Sequence, residues 1–133
     1  MGFHSLEYVN LKNTSNITDM SSMFFEAFSF NQPIGNRDTS NVTDMSHMFY
    51  RAESFNQPIN VWNTSKVSDI SFMFACAESF NQPLDYWDTS SVTDISYMFA
   101  CATAFNQVVD DWNTDSLIEK DEMFGNEVPE DSF

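Results

Sequence analysis

Carboxylates recur at one fixed spacing along this chain. Asp19, Asp44, Asp69 and Asp94 each stand 25 residues after the one before. If such positions stack about 5 Å apart, the like charges repel and something must offset them. Two readings do so. Each carboxylate can accept from the backbone N–H groups at the start of its own helix. Alternatively, the row can hold calcium, which takes about six or more oxygens. The chain lacks the glycine-rich acidic loop of calcium-binding repeats, so capping is the favoured reading. Cys76 and Cys101 share another column, aligned with Glu26 and Arg51. Charged residues there place the column on the outside. Stacking could bring the two thiols within disulfide range, whereas outward curvature would spread them. No histidine stands beside them to complete a metal site. His4 and His47 fall at unrelated positions. No nucleophile, base and orienting group are set out together, and there is no phosphate loop, HExxH or GxSxG. The expectation is a protein that is not an enzyme, with no catalytic, metal-binding or cofactor-binding residues and no cofactor.

The element that must position these residues is a repeat. Four units run without insertions, 13–37, 38–62, 63–87 and 88–112, with a partial repeat at 1–12 and a partial repeat or cap at 113–133, all in a single domain. Apolar residues return in columns: Met23, Met48, Met73 and Met98, then Phe24, Phe49, Phe74 and Phe99, then Phe30, Phe55, Phe80 and Phe105. One unit alone cannot bury so many large side chains, but stacked units can. Within a unit, Met20, Met23, Phe24 and Ala27 stand at i, i+3, i+4 and i+7, the face of a short helix capped by Asp19 or Ser21. A short parallel strand is expected just after Pro33, Pro58 and Pro83, around Ile34, Ile59 and Leu84, with a second extended stretch near Val42-Thr43-Asp44. The Asn/Asp-Thr-Ser segment between them is a turn. The predicted fold is an α/β repeat solenoid with one short helix and one short parallel strand per 25-residue coil.

Composition narrows the function classes. The chain carries 20 acidic and 5 basic residues, a net charge of −15. A field of that sign repels phosphate backbones and anionic lipid, so no direct nucleic-acid binding is expected. No segment approaches the ~18 apolar residues of a membrane span, so no membrane insertion is expected. Met1 to Asn10 does not have the pattern of a signal peptide. Only 3 Gly are present, which assigns the turns to Asn, Asp, Ser and Thr.

The string Asn-Val-Thr-Asp-Met-Ser-His-Met-Phe at 41–49, followed by Ser-Phe-Asn-Gln-Pro-Ile at 54–59 and by Trp62, resembles the BspA-like leucine-rich-repeat surface proteins. The likeness recurs four times and covers about residues 13–124. It implies a leucine-rich-repeat-like fold, a cell-surface or secreted setting, and binding to other proteins or cells. It brings no catalytic residues.

In a stack of repeats the repeated columns hold the fold and the variable columns meet partners. The favoured contact set follows the Ile/Leu column together with the Trp column: Asn60, Trp62, Asp85, Tyr86, Trp87, Asp110, Asp111 and Trp112. The expected function is a non-catalytic protein-binding or adhesion module with a protein partner. The alternatives are an architectural repeat of a larger surface protein, or an acidic intracellular decoy that mimics nucleic acid.

Overall fold

The computed structural model describes residues 13–129, and among them there is no helix and no strand. The 25-residue units are built from turns and irregular backbone, and they are joined by backbone hydrogen bonds. The N–H groups of Met20, Ser22, Phe24 and Glu26 donate to the carbonyls of Asp44, Ser46, Met48 and Tyr50, at 2.9, 3.0, 2.8 and 2.7 Å. The residues between them stay local. Met23, Phe25 and Ala27 donate to Met20, Ser22 and Phe24, three positions back. The same alternation recurs at each later unit.

This pattern corrects the expected α/β leucine-rich-repeat-like solenoid. A helix needs each N–H to reach the carbonyl four residues back. Here every second N–H leaves its own unit. Left-handed residues also interrupt any helix: φ is 58° at Ser22 and 55° at Glu26, and His47, Arg51, Phe72, Cys76, Tyr97, Cys101 and Glu122 repeat the feature. A left-handed residue every fourth position makes a run of turns with a period of four. Over eight residues, that period buries the same positions as the 3.6-residue period of a helix. Met20, Met23 and Phe24 are indeed buried, with Ala27 packed beside them.

The expected strand is corrected for a related reason. Ile34, Ile59 and Leu84 are fully buried, but each begins a turn whose fourth N–H, from Arg37, Trp62 or Trp87, returns to it at 3.1–3.2 Å. Pairing is confined to single parallel bridges, Asp19 with Asp44, Asp44 with Asp69, Asp69 with Asp94 and Asp94 with Glu119. They lie at the end of the second extended stretch. There Thr43 N–H reaches back to Thr18 at 2.8 Å while Met45 N–H reaches forward to Asp69. The turns that follow stop the bridge from growing into a strand.

The core lies inside the stacked turns. Phe24, Phe49, Phe74, Phe99 and Phe124 form one column of rings, with successive centroids 5.4–5.7 Å apart. Within each unit a second phenylalanine stacks against it, as Phe55 does on Phe49 at 4.2 Å and Phe80 on Phe74 at 4.1 Å. Aromatic pairs of this kind add roughly 0.5–1.5 kcal/mol beyond the area they bury. The partial repeat at 1–12, His4 within it, and residues 130–133 lie outside the described residues.

Ser22 tests the turn geometry, because it is exposed and left-handed. Ser22→Gly is expected to stabilise the protein by up to about 1 kcal/mol, and Ser22→Val to destabilise it by more than about 1 kcal/mol. Urea unfolding of the two variants gives opposite signs if the backbone is left-handed there, and the reverse order if it is helical.

Candidate functional site

The carboxylate columns are built into the turns. The Oδ1 of Asp19 accepts from Ser21 N–H at 2.8 Å and from its hydroxyl at 2.6 Å. Asp44, Asp69 and Asp94 hold Ser46, Ser71 and Ser96 in the same way. A short polar side chain that accepts from the N–H two residues on is an Asx turn. The expected helix cap is therefore a turn cap, since no helix follows it. A second column does the same with Asp38 and Ser40, and with Asp88 and Ser90. Those serine bonds hold the pKa values of Asp38 and Asp88 below the ordinary carboxylate value. At Asp69 burial outweighs the serine bonds and raises the pKa, with the neighbouring Asp94 and Asp44 adding to the rise. Among the described residues, no three His, Cys, Asp or Glu side chains are grouped so as to hold a metal ion.

Further polar ladders join the units. Buried Thr14, Thr39, Thr64 and Thr89 donate to the carbonyls of Asp38, Asn63, Asp88 and Asn113. Asn31 is exposed, and its Oδ1 accepts from Asn56 N–H at 2.9 Å. Asn56 and Asn81 repeat that bond one unit further on.

The predicted contact residues divide into two groups. Trp62, Trp87 and Trp112 are buried, 3, 4 and 9 % exposed. Each indole Nε1 donates to a carbonyl of the preceding unit, of Ile34, Ile59 and Leu84, at 3.0–3.1 Å. The rings stack 6.3–6.4 Å apart and face the phenylalanines, so this column closes the core. The other group reaches the surface. Asp85, Tyr86, Asp110 and Asp111 are exposed, and Asn60 is half-buried. Asn60 Nδ2 donates to Asp85 Oδ1 at 3.0 Å, and its Oδ1 accepts from Tyr86 N–H at 2.9 Å. These two bonds fix the Asn60 amide between the second and third units. Asn60, Asp85, Tyr86 and Asp111 line an open groove of about 490 Å³, together with Pro83, Gln107 and Val108. The sequence reading did not include Pro83, Gln107 and Val108. Exposed Val108 replaces the proline of the other units, and that departure from the repeat was the signal for it. In the first unit the groove position is Gly35, where a Cβ would lie 2.6 Å from the Pro58 carbonyl oxygen.

On another face His47, Phe72 and Tyr97 stack at 4.7 and 4.8 Å from left-handed positions. Burial lowers the His47 pKa against the opposing pull of Asp69, Asp44 and Asp94.

The family described as "Mycoplasma protein of unknown function, DUF285" matches residues 3–87 and again 33–130. The chain belongs to that family. No curated protein and no solved structure matches it. The resemblance to BspA-like leucine-rich-repeat surface proteins is corrected by two findings: the matching family is this one, and the described residues hold no helix or strand. The expected leucine-rich-repeat-type adhesion module is corrected with it, because the described residues hold no helix-and-strand repeat to support it and the family description assigns no function.

Two outcomes test the assignments of structural roles. Trp87→Phe keeps a ring in the column but leaves the Ile59 carbonyl without its indole donor, and is expected to cost about 1–3 kcal/mol in chemical denaturation. Asp69→Asn keeps an oxygen for Ser71 and removes a buried charge. With the folded-state pKa of Asp69 raised, the folded state binds its proton more readily than the unfolded chain. The wild type is therefore penalised above that raised pKa, and the penalty disappears as pH falls below the unfolded carboxylate value. Asp69→Asn should raise stability at pH 7 and lose that advantage at pH 3, as measured by thermal unfolding at the two pH values.

Proposed function

We propose that this chain acts by binding a protein and not by catalysis, and that the groove lined by Asn60, Asp85, Tyr86, Val108 and Asp111 is its contact surface. The observation that carries the reading is Tyr86, a large aromatic left 77 % exposed at the rim of a groove where Asn60 is bonded to Asp85, and Gln107 to Asn81, across units. Rigid aromatics at such positions supply contact area at low entropic cost. Asp85, Asp110 and Asp111 stand beside it in a chain of net charge −15, which selects a basic, extended partner surface. No helix among the described residues is long and apolar enough to cross a membrane.

A displayed peptide library panned on the immobilised chain tests it. Selected peptides should be rich in Lys and Arg. Tyr86→Ala should weaken them about tenfold, the ~1.4 kcal/mol expected of a contact aromatic. Ligands that bind Tyr86→Ala and Asp111→Ala as tightly as the parent would sink the proposal.

A further inference from the structure

The column of Glu26, Arg51, Cys76 and Cys101 is a place where side chains of neighbouring units meet. In its first two members the Arg51 guanidinium lies 3.9 Å from the Glu26 carboxylate. The backbone at this column does not spread along the stack. Glu26, Arg51, Cys76 and Cys101 donate to Tyr50, Ala75, Ala100 and Gly125 at 2.7, 2.9, 2.7 and 2.9 Å. Cys76 and Cys101 also share their backbone conformation, with φ of 56° and 58°, so their side chains leave the stack in the same direction. Equivalent residues on backbones paired side by side lie about 4.8 Å apart, inside the ~4.4–6.8 Å window of Cα separations that a disulfide spans. Both thiols are free and half-buried, so a small molecule can reach them. Cys101 Sγ donates to the Asn126 carbonyl at 2.8 Å.

We propose that Cys76 and Cys101 form a dithiol site, which a small-molecule disulfide oxidises to an intrachain disulfide joining the third and fourth units. One thiolate attacks a sulfur of the reagent, forms a protein–reagent mixed disulfide, and releases one reagent thiolate. The second cysteine, losing its proton to solvent, attacks the protein-side sulfur of that mixed disulfide and releases the second reagent thiolate. The protein loses two hydrogens, and the reagent disulfide is reduced to two thiols. Burial, followed by the neighbouring Cys101, pushes the Cys76 thiol up to about 11. The exchange should therefore be slow at neutral pH and quicken as the solution becomes alkaline.

The test uses the full chain in glutathione buffers of graded oxidised-to-reduced ratio, read by intact mass and by non-reducing peptide mapping. The expected product is a monomer lighter by two hydrogens, with Cys76 linked to Cys101 and no retained glutathione. Its melting temperature should rise by roughly 10 °C, since the bond closes a loop of about 25 residues. Cys76→Ser should stop at one stable glutathione adduct on Cys101. Two lasting adducts on one chain, a disulfide between chains, or thiols still free at the most oxidising ratio and pH 8.5 would each overturn the proposal.

Discussion

Everything in this molecule depends on how its backbone N–H groups are shared. Half of those in the turn-forming segment, as at Met20, Ser22, Phe24 and Glu26, are committed to the neighbouring unit, and the others close turns at home. That division fixes the register between units to the single residue. Register in turn aligns each side chain with its counterpart 25 positions away, and so phenylalanine falls on phenylalanine, tryptophan on tryptophan and aspartate on aspartate. A slip of one residue would put Ser21 where Met20 fills the core. The aromatic columns thus hold the register as firmly as the hydrogen bonds do.

The arrangement has a backbone cost. Serine, glutamate, histidine, arginine, phenylalanine, cysteine and tyrosine all occupy left-handed conformations that glycine adopts most readily. Such strain is of order 1–3 kcal/mol per residue and persists only where the surroundings over-determine it. Here the surroundings are a bond to the next unit, as from His47 N–H to Ser71, and a ring stacked on the next ring, as His47 on Phe72. This also accounts for the scarcity of glycine, which composition had assigned to turns made by Asn, Asp, Ser and Thr. The Asx turns of Asp19 and Asp38 are of that kind, but of the left-handed positions only Ser22 is.

Columns were legible in the sequence because identity at a fixed spacing is visible without any coordinates. The buried phenylalanine, methionine and Ile/Leu columns were therefore read as core, and they are core. Backbone conformation was not legible. Met20, Met23, Phe24 and Ala27 bury the same face whether the path is a helix or a run of four-residue turns, and no glycine marked the left-handed positions. The tryptophans were misplaced because they end their units, next to surface residues. Their indole N–H groups, turned inward to Ile34, Ile59 and Leu84, decide the matter, and side-chain direction is not written in spacing. Within the groove, Tyr86 and its acidic neighbours stood out because those positions vary from unit to unit on a constant frame.

The bonds between units also have a direction. At each junction four N–H groups point toward the higher-numbered unit, while only one or two, from Thr43, from Ser68, from Thr93 and Asp94, and from Ile118 and Glu119, point in the opposite sense. The peptide dipoles along the stack therefore add rather than cancel, as they do along a helix, leaving partial positive charge at the high-numbered end. Glu119, Asp121, Glu122 and Glu127 gather at that end. Acidic residues near such an end are favoured for the same reason as in the first turn of a helix. The electrostatics usually credited to helices are thus reproduced by a protein whose described residues contain none.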